Sequence, residues 1–129
     1  MVFFEWDASL DVNVEEMNNQ HKTLVGLMDV LYKKNLSGAT KQELIDSAGG
    51  LVNFVIKHFQ DEEKYMASIN FPGLAAHKQI HQNLMVDLNK FVDDFVNGSD
   101  NRISDEFITF LKFWLSTHIR GIDTKYGMV

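Results

Sequence analysis

Along four stretches of the chain, apolar side chains recur at intervals of three and four, the period of amphipathic helices. Over about 13–36 the stripe reads Val14, Met17, His21, Leu24, Met28 and Leu31, and over about 41–67 it reads Leu44, Ala48, Leu51, Val55, His58 and Glu62. A third stripe, over about 73–96, holds Leu74, His77, His81, Leu84, Leu88, Phe91 and Phe95; a fourth, over about 104–121, holds Phe107, Leu111, Trp114 and His118. Residues 1–12 lack this period, and Phe3, Phe4 and Trp6 are expected to form an arm packed on the body.

The breaks between stripes carry helix start and stop signals. Gly38 interrupts the first, and Thr40 followed by Glu43 makes a capping box for the second. Pro72 and Gly73 suit the turn before the third, Asn97 and Gly98 predict the usual glycine stop after it, and Ser104 with Asp105 and Glu106 gives the fourth an N-cap and an acidic first turn. Gly121 should end that helix just before Asp123. Gly49 and Gly50 sit in mid-helix, each costing about 1 kcal/mol relative to Ala, so a close helix contact or a local irregularity is expected there. No strand-like alternation, low-complexity run or internal repeat is present. Short loops make neighbouring helices antiparallel, which predicts an all-α, up-down-up-down four-helix bundle forming one domain over 1–129.

Composition narrows the chemistry. The chain has 129 residues, 45% of them hydrophobic, enough to bury a core in one ordinary domain. It has no cysteine, so a bound metal would need nitrogen and oxygen ligands. A net charge of −6, with scattered basic residues, is the wrong field for nucleic acid or an anionic membrane. No segment reads as a leader or a membrane span, so a cytoplasmic monomer is expected.

The polar residues on the stripes are the informative ones. All five histidines, with Glu62, occupy positions that the apolar period points inward, where an isolated polar group is costly. In antiparallel helices, residues equidistant from the connecting turn lie at one level. The midpoint of His21 and His58 falls at the first turn, that of Glu62 and His77 at the second, and that of His81 and His118 at the third. All of them therefore belong to one layer, and Gly121 would let the chain turn the Asp123 carboxylate back toward it. Five imidazoles and two carboxylates are too many for one zinc and fit two metals bridged by the carboxylates. Imidazole suits iron, copper or zinc, with iron favoured.

In these residues the sequence resembles the hemerythrin family in its single-domain bacterial form: His21 in NNQHKTL, His58 and Glu62 in HFQDEE, His77 and His81 in HKQIH, His118 and Asp123 in HIRGID, and WDAS near the start. The resemblance implies two non-haem iron ions joined by an oxo or hydroxo group. By position, His77, His81 and His118 would hold a saturated iron, His21 and His58 an iron with one open site, and Glu62 and Asp123 would bridge them. It further implies reversible dioxygen binding at the open iron, in an apolar pocket lined by Leu24, Phe59, Trp114, Leu115 and Ile119.

A carrier, storage or delivery protein rather than an enzyme is the expectation. Sensing of oxygen, nitric oxide or redox state, or iron buffering, could use the same centre. A ferritin-like di-iron oxidase or peroxidase is less compatible, because those sites are built largely from Glu and Glu-x-x-His.

Overall fold

The computed structural model describes residue 6, residues 8–119 and residues 122–128. Four helices carry the fold: α1 (Glu15–Ser37), α2 (Lys41–Ser68), α3 (Leu74–Asn97) and α4 (Asp105–Phe113). A short 3-10 turn, Ala8–Leu10, precedes them, a π-helical segment, Trp114–Ile119, continues α4, and a 3-10 helix spans Asp123–Met128. The described residues contain no strand, and α1 packs along α2, as α2 does along α3, in a four-helix bundle.

Local chemistry sets the boundaries. Gly38 closes α1 in the left-handed region at φ 84°, its N–H donating to the Lys34 carbonyl, a conformation that favours glycine. The Thr40 capping box is complete: Glu43 N–H donates to Thr40 Oγ1 and Thr40 N–H to Glu43 Oε1. Ser104 caps α4 by accepting from Phe107 N–H. Ahead of α1, Asn18 ties the arm down, its Oδ1 accepting from Val12 N–H and its Nδ2 donating to Asp11, so that Leu10 and Val12 are buried. Trp6 is half-buried beneath Lys22, whose Nζ lies 5.3 Å from the ring centre; Phe3 and Phe4 lie outside the described residues.

The stripes meet in the core. Leu24, Met28 and Leu31 of α1 face Leu44, Leu51 and Val55 of α2, Leu88 and Phe95 of α3, and Phe107 and Leu111 of α4 in one buried cluster. Among the described residues no helix is long and apolar enough to cross a membrane.

Three expectations are corrected. The fourth helix is not α-helical to its end: from Trp114 it widens into π turns, a form frequent at functional sites. Its apolar spacing of Leu111, Trp114 and His118 is unchanged through the transition, so periodicity gives no sign of it. Gly98 ends α3 in an extended rather than left-handed conformation, at φ −82° and ψ 175°. Its carbonyl accepts from Lys41 Nζ at 2.6 Å. Finally, α2 runs unbroken through Gly49 and Gly50, and a Cβ at either would meet nothing within 4 Å; neither a close contact nor an irregularity is present. The expected break at Gly121 lies outside the described residues.

Candidate metal centre

His21 on α1, His58 and Glu62 on α2, His77 and His81 on α3, His118 in the π segment and Asp123 at the start of the final 3-10 helix are all at most 3% exposed. Seven buried polar side chains are costly unless paired or coordinated, and the bundle brings them together. Four residues separate His58 from Glu62, and His77 from His81, so each pair shares a helix face. Ile122 N–H donates to the His118 carbonyl at 2.8 Å, closing one turn that sets Asp123 beside His118.

The seven divide into two groups that share both carboxylates. Glu62, His77, His81, His118 and Asp123 form one, and His21, His58, Glu62 and Asp123 the other; within each, one donor atom per residue lies within 4.8 Å of every other. The carboxylate oxygens follow the same division. Glu62 Oε2 is 3.2 Å from His21 Nε2 and 3.4 Å from His58 Nε2, while Oε1 is 2.9 Å from His81 Nε2 and 3.5 Å from His77 Nε2. Asp123 Oδ2 is 3.2 Å from His21 Nε2, while Oδ1 is 2.8 Å from His77 Nε2 and 3.0 Å from His118 Nε2.

Only part of this proximity is hydrogen bonding: His21 Nε2 and Glu62 Oε2 are bonded at 3.2 Å. Among the described residues, the Nε2 atoms of His77, His81 and His118, Glu62 Oε1 and both Asp123 oxygens are buried without an aligned hydrogen-bond partner, even where an oxygen lies 2.8 Å away. Donor atoms that crowd one another off-axis are arranged around common points between them, and a cation at those points satisfies them all. The residues therefore fit a nitrogen-and-oxygen-bound metal.

Outer contacts fix the rings. Asp61 can only accept, so Gln20 Nε2 donates to its Oδ2 at 3.0 Å and Gln20 Oε1 is left to accept from His58 Nδ1–H at 2.6 Å. Glu63 Oε2 accepts from His81 Nδ1–H at 2.8 Å. Each bond leaves an Nε2 lone pair aimed at the centre, the usual way a metal-binding imidazole is oriented. Tyr126 donates to Glu62 Oε2 at 2.8 Å. Sequence reasoning did not single out Gln20, Asp61, Glu63 or Tyr126. The available signal was adjacency for Gln20 and Glu63, each next to a stripe residue, and a spacing of three from Asp123 for Tyr126.

The charges are strongly coupled. Burial, the largest influence, lowers the pKa values of His21 and His77, but Asp123 and Glu62 more than offset it and raise both to about 9. Burial likewise raises Glu62, and the four imidazoles of His21, His58, His77 and His81 overturn this, holding it well below 4.5. Asp123 is lowered in the same manner: burial and Glu62 raise it, and His118 and His21 prevail. Tyr126 is pushed far above 10.0 by burial and by the carboxylates of Glu62 and Asp123, and so remains a neutral donor.

Of the residues expected to line an apolar pocket, Leu24, Phe59, Trp114 and Ile119 are buried, and the Leu115 side chain lies outside the described part of the structure. Phe59 stacks on the His81 ring with centres 3.8 Å apart and lies 6.2 Å from the His118 ring, and Trp114 packs on Phe59 at 5.5 Å.

Fold and centre together define a four-helix bundle whose core presents histidines and shared carboxylates to metal. The family model described as Hemerythrin HHE cation binding domain matches residues 12–128. A hemerythrin-like protein of Naegleria gruberi is 37% identical over 123 residues, covering 95% of this chain and 90% of that protein. A bacteriohemerythrin of Stenotrophomonas maltophilia is 30% identical over 98% of this chain and 81% of its own length. A crystal structure of wild-type hemerythrin superposes with a TM-score of 0.87 at 27% identity, covering 98% of this chain and 96% of that one. The chain belongs to the hemerythrin family.

Proposed function

We propose that the chain binds dioxygen reversibly at two non-haem iron ions and serves as an oxygen carrier or store. In this reading His77, His81 and His118 would hold one iron, His21 and His58 would hold a second that is left able to take dioxygen, and Glu62 and Asp123 would be shared by both. The observation that carries it is the division of oxygens: each buried carboxylate turns one oxygen to each group of imidazoles. A pair of ferrous ions supplies the two electrons that reversible dioxygen binding uses.

The protein's own part is to hold the donors and exclude water. Gln20 and Glu63 fix the His58 and His81 rings, and Phe59 and Trp114 wall the imidazoles with apolar surface. Five imidazoles against two carboxylates favour binding over the Glu-rich chemistry of di-iron oxidases. The test is reconstitution with ferrous iron under argon, followed by oxygen. A visible absorption band should appear and vanish on degassing, with two irons per chain. A band that never forms, or forms irreversibly from the first exposure, refutes oxygen carriage.

A further inference from the structure

The 3-10 helix Asp123–Met128 has three residues per turn, so side chains three apart lie in line. Asp123 and Tyr126 therefore leave the backbone on the same side. Asp123 turns its carboxylate into the centre, while Tyr126 reaches the other carboxylate, donating to Glu62 Oε2 at 2.8 Å. The choice of oxygen is specific. Oε2 is the atom facing His21 and His58 at 3.2 and 3.4 Å, whereas Oε1, facing His77 and His81, has no aligned donor among the described residues.

The phenol is braced to keep that direction. Tyr126 has no exposed surface; the Tyr65 ring stands edge-on at 5.7 Å, Phe71 edge-on at 6.5 Å, and His77 lies at 6.1 Å. Without this bond, the shortest that Oε2 makes, only the contacts with His21 and His58 at 3.2 and 3.4 Å oppose a rotation of Glu62 toward the three-imidazole group of His77, His81 and His118, a rotation that would leave His21 and His58 with one carboxylate fewer. We propose that Tyr126 is a positioning residue that holds Glu62 Oε2 for the His21 and His58 half of the centre, so that this half alone depends on it for metal affinity. This rests on the two-metal reading above.

The test is an anaerobic titration of the metal-stripped full chain with Co²⁺, read by the visible d–d bands, on wild type, Tyr126→Phe, Tyr65→Phe and His58→Ala. Wild type should take up two equivalents. Tyr126→Phe should keep its first equivalent unchanged and bind the second about 10–100-fold more weakly, the usual cost of losing an outer-shell partner. The weakened bands should be those missing from His58→Ala, and Tyr65→Phe should match wild type. Metal-free circular dichroism reads folding separately; should Tyr126→Phe not fold, the substitution is carried in a Gly50→Ala background, where α2 gains helix propensity. If wild type binds two equivalents and Tyr126→Phe weakens neither, or both equally, the positioning role is wrong. If wild type binds fewer than two, the two-metal reading falls and this role with it.

Discussion

Glu62, in the middle of the bundle's second helix, and Asp123, near the chain's end, contact the same two imidazoles from opposite carboxylate oxygens: each presents one oxygen to His21 at 3.2 Å and the other to His77, at 3.5 and 2.8 Å respectively. Two carboxylates oriented alike between two groups of nitrogen donors are what the proposed two-iron centre would use as its shared ligands. Glu62→Gln or Asp123→Asn keeps the volume and replaces one oxygen by a nitrogen that donates instead of ligating. Either substitution should reduce bound iron from two per chain to at most one, measured by elemental analysis, with helicity retained. Two irons in both variants would rule out the bridging role.

The imidazoles should separate by half-site. His118→Ala removes a donor from the group of His77, His81 and His118, and is expected to fold but to lose two-iron binding, because water enters the opened position. His58→Ala removes a donor from the other group and should abolish the oxygen-dependent visible band. Were His118→Ala to bind two irons and oxygen reversibly, its place in the layer would be disproved.

The residues that sequence made legible were those whose spacing has a physical meaning. His58 and Glu62 share a helical face by number alone, and the equal distances of His21 and His58 from Ser37–Thr40 place them at one height before any coordinates exist. Asp123 was less legible than the others, since five residues from His118 is no helical period and only Gly121 pointed to a carboxylate turned back to the layer; the π segment and the 3-10 helix that set its direction leave the apolar pattern untouched. The outer partners were hidden for another reason. Gln20 and Glu63 are half-buried polar residues beside the inward stripe, and nothing in a one-dimensional pattern distinguishes a residue that bonds an imidazole from one that faces water. The apparent cost of Gly49 and Gly50 invited a packing reason that the structure does not contain.

That absence makes the glycines a stability test. A Cβ at Gly26 or Gly50 meets nothing within 4 Å in the interior of α1 or α2, so Gly26→Ala and Gly50→Ala should each stabilise by about 1 kcal/mol, on the order of 4 °C in melting temperature. Gly98→Ala should destabilise, because its Cβ would lie 2.6 Å from the Asp94 carbonyl oxygen. Gly38→Ala should do so through its positive φ of 84°. Thermal melts of the four variants check both signs; a lowered melting temperature for Gly50→Ala would mean that α2 contains a constraint at that position.

The centre should also make the pH dependence of stability differ between its metal-free and metal-loaded forms. In the metal-free chain the pKa values of His21 and His77 rise from 6.5 to about 9 on folding, burial being outweighed by Asp123 and Glu62. A raised pKa contributes stability that is fully present below 6.5 and is lost as pH climbs through about 9. Glu62 and Asp123 are lowered from 4.5 and 3.8, so their contribution is present above those values and is lost as pH falls below them. The metal-free protein should therefore be most stable between about pH 4.5 and 6.5 and lose melting temperature from pH 6.5 to 9. Metal ligation requires neutral imidazoles and releases their protons, so the stabilisation added by metal must grow over that same interval. Differential scanning calorimetry at pH 6, 7.5 and 9, with and without metal, should show the two melting temperatures diverging as pH rises. A metal-free melting temperature that increases from pH 6 to 9 would contradict the assignment of His21 and His77 as imidazoles charged by these two carboxylates.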